Sequence, residues 1–121
     1  MNKAIFTTLL LAGTASGLQA AEYRSPSDMN ADERVALMSM VRDYSSCIRE
    51  NAMQLNPDYP GVRELADAAM GQCSGKLVEL EKKMTTMNLD PGFVKGYVAH
   101  SRNHVVRQML PEIMRLKAAG N

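Results

Sequence analysis

Tryptophan is absent from this 121-residue chain, and two phenylalanines and four tyrosines are its only aromatics. A core must come largely from aliphatic side chains, alanine and methionine. Only two cysteines occur, Cys47 and Cys73, and they are far apart. That spacing excludes a Cys-x-x-Cys redox pair and the Cys-x-x-Cys-His attachment of a c-type haem. Two histidines with two distant cysteines match no zinc-ligand spacing. No glycine-rich phosphate loop, nucleophile elbow, Ser-His-Asp order or pair of catalytic carboxylates is present. The chain is therefore expected not to be an enzyme and to need no cofactor.

Charge of one sign is also missing. Of 14 basic residues only Lys3 precedes residue 21, so 13 remain to face 13 acidic ones. A neutral balance argues against nucleic acid or anionic lipid as a partner, since both reward excess Lys and Arg. After the first twenty residues no apolar stretch approaches the roughly 20 residues that span a bilayer.

Those first residues carry the clearest signal. Lys3 is followed by an uncharged, mostly apolar run centred on Ile5 to Leu11, then by small residues from Ala12 to Gly17, then by Leu18-Gln19-Ala20-Ala21. This is the pattern of a secretory signal peptide, with cleavage expected after Ala20 or, second, after Ala21. An uncleaved anchor is the alternative. The apolar run is short for a span, and Gly13 and Gly17 weaken a helix. No cysteine follows for lipid attachment, and no twin arginine appears. The expected location is periplasmic, in a Gram-negative type of envelope, or secreted.

In a small exported chain an even cysteine count reads as a disulfide. Between Cys47 and Cys73 lies Asn56-Pro57-Asp58-Tyr59-Pro60-Gly61, a strong turn signal. In an antiparallel helical hairpin centred at residue 60, facing positions sum to 120, and so do 47 and 73. A structural bridge between the two arms is predicted.

Residues 21–29 read as a flexible N-terminal lead, and 30–121 as one helical domain. Asn30 and Glu33 have the spacing of a capping box. Leu37, Val41, Tyr44, Ile48, Ala52 and Leu55 then form an apolar stripe at helical spacing. Val62, Ala66, Ala69, Cys73, Leu77, Leu80, Met84 and Met87 form a second. Asp90-Pro91 starts a third helix, with Val94, Val98, Ser101, Val105 and Met109 facing the core. Pro111 is expected to break or kink it, leaving a short segment from Glu112 to Ala118. Its Ile113, Met114 and Leu116 are placed to close the open end of the bundle. The expected fold is all-α: a three-helix bundle on a disulfide-stapled hairpin, with a short C-terminal helical segment after a proline kink.

The third helix has a second stripe: Phe93, Tyr97, His100, His104 and Arg107. At about 100° per residue they share a face well away from the valines. Tyr, Phe and Arg favour interface hot spots, so the face is a candidate partner-binding surface. His100 and His104, four apart, are a candidate metal pair. The plainer alternative puts Phe93 and Tyr97 in the core and the rest in water. Nine methionines follow Met1. Thioethers suit Cu(I), and the sequence offers Met38-Ser39-Met40 and one Met-x-x-Met, Met84 to Met87. But Met84 and Met87 lie on the core stripe, and methionine also fills irregular cores and adaptable grooves.

In plan the chain is similar to small exported helical proteins whose hairpin is locked by one disulfide, such as the acid-protective periplasmic chaperones. Its cysteine spacing is much shorter than theirs. In size and methionine content it is similar to metal-responsive periplasmic helical hairpins, without their Leu-Thr-x-x-Gln pattern. These observations point to a non-enzymatic periplasmic binding or accessory protein that engages another envelope protein through a helix face. The alternative is a copper-binding protein using His and Met ligands.

Overall fold

The computed structural model describes residues 22–120, so the expected signal peptide lies outside the described residues. Among the described residues three α-helices make up the fold: α1 (Ala31–Leu55), α2 (Val62–Thr86) and α3 (Pro91–Ala119). No helix among the described residues is long and apolar enough to cross a membrane.

Local chemistry sets each boundary. The Asn30 side chain accepts the Glu33 amide at 2.8 Å and starts α1. Pro57, Pro60 and Gly61 stop the first arm, and a short 3-10 turn, Asn56–Asp58, carries the chain round the hairpin tip. At Gly61 a Cβ would run into the Glu64 carboxyl group, which folds back over the start of α2. Asn88 adopts a left-handed φ of 57° after α2, a conformation that asparagine tolerates better than most residues. Asp90 then accepts the Phe93 amide at 3.0 Å, and Pro91 occupies the first turn of α3.

α3 continues through Pro111 to Ala119. The segment expected beyond the proline is thus helical and belongs to the same element. Proline removes one donor from the helix. Ile113 and Leu116 beyond it pack into the core, and the Lys117 ammonium donates to the Asn56 carbonyl at 2.7 Å. These contacts hold the last turns beside the hairpin tip. Met114, expected to help close the bundle end, is exposed.

The Cys47–Cys73 disulfide joins α1 to α2 with the Cα atoms 5.9 Å apart. Asn51, one turn along α1, donates to the Cys47 carbonyl at 2.8 Å. Small residues at Ala66 and Ala69 let the two arms approach closely, and both are buried.

Side chains pack in two groups. Near the hairpin tip, Tyr44, Ile48, Ala52, Leu65, Ala66, Ala69, Cys73, Val105, Met109 and Ile113 form one. At the opposite end, Leu37, Leu80, Met84, Leu89 and Val94 form the other. The predicted stripes supply most of both. Leu65 and Leu89 are core residues that the stripes omit.

The N-terminal lead departs from expectation. Rather than hanging free, residues 22–29 are fastened across the α2–α3 connection. The Arg24 amide donates to the Asn88 carbonyl at 2.8 Å, and the Asp90 amide donates to the Arg24 carbonyl at 3.2 Å. The Arg24 guanidinium takes both oxygens of Glu33, at 2.8 and 3.1 Å, and also reaches the Met87 carbonyl. A bidentate, charge-assisted pair is stronger than a neutral cap bond. Glu33 therefore turns to Arg24 instead of closing the capping box on Asn30. The hydrogen bond from Arg24 holds the Glu33 carboxyl below the usual carboxylate range.

Candidate functional site

α1 and α3 both pack chiefly on α2 and touch each other least. A furrow is left between them. Its α1 wall is the row Met38, Arg42, Ser45, Arg49 and Met53, which recurs at helical spacing. Its α3 wall includes Tyr97, His100, His104, Gln108 and Glu112.

The middle of the furrow is a cleft of about 440 Å³. Tyr97, His100, Ser101, His104, Val105 and Gln108 line one side, and Met38, Val41, Arg42 and Ser45 the other. Three of the residues singled out on the third helix therefore meet in one place. The two imidazoles lie parallel, with centroids 6.2 Å apart and planes 12° apart. Phe93 packs on Tyr97 at 5.8 Å. Both rings are half-buried against the Leu37–Met84 core group. Burial pushes the Tyr97 hydroxyl above the usual tyrosine range, with the Ser101 hydroxyl pulling the other way. It stays protonated and able to donate. Arg107 is exposed and does not line the cleft.

Nearer the hairpin tip the furrow opens into a second cleft of about 330 Å³. Ile48, Ala52, Met109 and Ile113 form its floor, with Met53 and Leu116 beside them. Arg49, Glu112 and Arg115 supply its polar groups. Arg49 and Glu112 make a two-pronged ion pair, at 3.0 and 3.3 Å, that bridges the furrow between the clefts. Both side chains are well exposed, so the pair contributes little to stability. The Arg49 hydrogen bond nevertheless holds the Glu112 carboxyl below its ordinary range. Arg115 donates through Nε to the Pro111 carbonyl at 3.3 Å.

No group of three or more His, Cys, Asp or Glu side chains converges among the described residues. His100 and His104 thus share the middle cleft without a carboxylate or thiolate beside them. Met38, across the furrow, is the thioether that lines the same cleft, and it is 52% exposed. The pair Met38-Ser39-Met40 stands out in the sequence, but its place opposite the histidines does not, because Met38 lies on a different helix. The other methionines divide as packing dictates. Met84 and Met109 are buried, whereas Met53 and Met114 are among the most exposed apolar side chains.

No protein-family model matches this chain, and neither does any curated protein or solved structure.

Proposed function

We propose that the protein is a small non-enzymatic binding or accessory protein of the cell envelope, periplasmic or secreted, acting through helix-face contacts with another envelope protein. One observation carries this reading. The middle cleft gathers Tyr97, His100, His104, Met38 and Arg42 from two helices onto one accessible surface. Aromatic, Met and Arg side chains are the types enriched where proteins bind one another. The N-terminal export pattern and the cysteine pair support the location, since disulfides persist in oxidising compartments.

Cross-linking in intact cells, followed by recovery of the chain, tests the reading. One reproducible protein is expected with the wild type. Its yield should fall roughly tenfold or more in Tyr97→Ala, as for a central interface residue. His100→Ala, at an exposed position, should lower it without disturbing the core. Recovery of the same abundant bystanders from all three would defeat the proposal.

A copper-binding reading has one observation of its own: Met38 lines the cleft that holds both imidazoles. Thioether and imidazole together suit copper better than hard cations. Cu(I) titration of the oxidised protein should then show one equivalent bound, and His100→Ala/His104→Ala should abolish it. Absence of stoichiometric binding removes this reading.

A further inference from the structure

The charge of the fold is unevenly placed. α3 carries Lys95, Arg102, Arg107, Arg115, Lys117 and both histidines, against a single acid, Glu112. On the α2 side two of the Lys and Arg side chains share a cleft with a carboxylate. Lys95 shares a cleft with Glu81, and Arg102 shares one with Asp67. On the α1 side the middle cleft holds Arg42 and two histidines and no acidic side chain. The tip cleft holds Arg49 and Arg115, with Glu112 already taken by Arg49. Among the described residues, the middle cleft thus holds Arg42 with no acid in its lining, and the tip cleft holds Arg115 beyond the Arg49–Glu112 pair.

Apolar surface accompanies that charge. The tip cleft is floored by the buried core side chains Ile48, Ala52, Met109 and Ile113, and Leu116 adds half-buried apolar surface beside them. Met53 stands at its edge, 61% exposed. Methionine-rich rims adapt to the side chains they receive. From Met38 to Met53 the furrow runs about 22 Å along α1, at 1.5 Å per residue.

We infer that the α1–α3 furrow docks an acidic amphipathic helical segment of the partner. Such a segment lies along the furrow as a fourth helix. Its apolar residues enter the tip cleft, and its carboxylates face Arg42, the two imidazoles and Arg115. Helix-in-groove docking of this kind uses apolar anchors at helical spacing. Complementary charge fixes the register and speeds the encounter. The inference rests on the partner-binding reading above and adds the chemistry of what is bound.

The test places a photo-cross-linking amino acid at Gln108, and separately at Met53, in the full chain made by cells that naturally carry it. Adducts are digested, and the attached segment is read by mass spectrometry. The expected segment is rich in Asp and Glu with apolar residues at helical spacing. Arg42→Glu and Arg115→Glu, each checked for an intact disulfide and helical circular dichroism, should cut the adduct roughly tenfold or more. Lys82→Glu, on the exposed face of α2, should leave it unchanged. A neutral or basic segment, a second copy of this chain, a lipid adduct, or indifference to both arginine reversals overturns the acidic-helix inference. The first and last of these leave the partner-binding reading standing. No adduct at either position defeats both.

Discussion

A variant with alanine at both Cys47 and Cys73 should unfold about 3–4 kcal/mol more readily than the oxidised wild type. The bridge joins positions 26 apart in sequence. Without it the unfolded chain recovers the conformations that loop closure had removed, and the cost follows from that loop length in the chain-entropy model. Few internal contributions in a small domain are larger, since the whole margin is commonly 5–15 kcal/mol. The melting temperature should fall by roughly 12–30 °C, at about 4–8 °C per kcal/mol for a chain of this size. Urea denaturation with and without reductant checks the assignment. The wild type in reductant should approach the double variant, and the variant itself should ignore reductant. A loss below about 1 kcal/mol would show that helix packing alone holds the hairpin.

Tyr44→Ala should cost about 3–5 kcal/mol, as truncation of a large buried ring usually does. Tyr44 is 1% exposed and touches the tip-side core group where all three helices contribute. It shares that group with Ile48, Ala69 and Val105, one from each helix, so truncation leaves a cavity where the three helices meet. The hydroxyl is a separate matter. Tyr44 lines a shallow cleft with Asp67 and Arg102. Burial raises its pKa, and the nearby Arg102 charge lowers it in part. No buried polar side-chain atom among the described residues lacks a partner, so the hydroxyl sits at the wetter edge of the ring. Tyr44→Phe should therefore change stability by no more than about 1 kcal/mol. Denaturant titration of the two variants separates ring from hydroxyl. A Phe variant as damaged as the Ala variant would move the stabilising contact to the oxygen.

The legible parts of this chain were those encoded within a few residues. Asn30 and Asp90 cap their helices because a side-chain oxygen two or three positions from an open amide needs no other element. Periodicity placed Leu37, Ile48, Ala69, Leu80 and Val105 inwards, since one face of a helix must be dry once helices pack. The cysteine pairing was readable because a hairpin converts sequence distance from its tip into spatial register.

Other features depended on contacts that no local pattern carries. Leu65 follows neither the spacing of its stripe nor a cap rule, and it is buried because α2 meets two neighbours and needs a wider apolar arc. Arg24 reads as a polar residue in a polar lead. Its fastening depends on Asn88 and Met87, more than sixty positions away. The same holds for the furrow. His100 and His104 share a face by spacing alone, but Met38 and Arg42 join them only because α1 and α3 pack on α2 and leave a gap between themselves.

Helix order and the covalent staple can thus be read from the amino acids in line, because caps, stripes and loop symmetry are short-range or one-dimensional properties. Which side chains from separate helices come to face one another is set by how three cylinders pack around a shared interior. That arrangement, and with it the furrow between α1 and α3, exists only in the folded molecule.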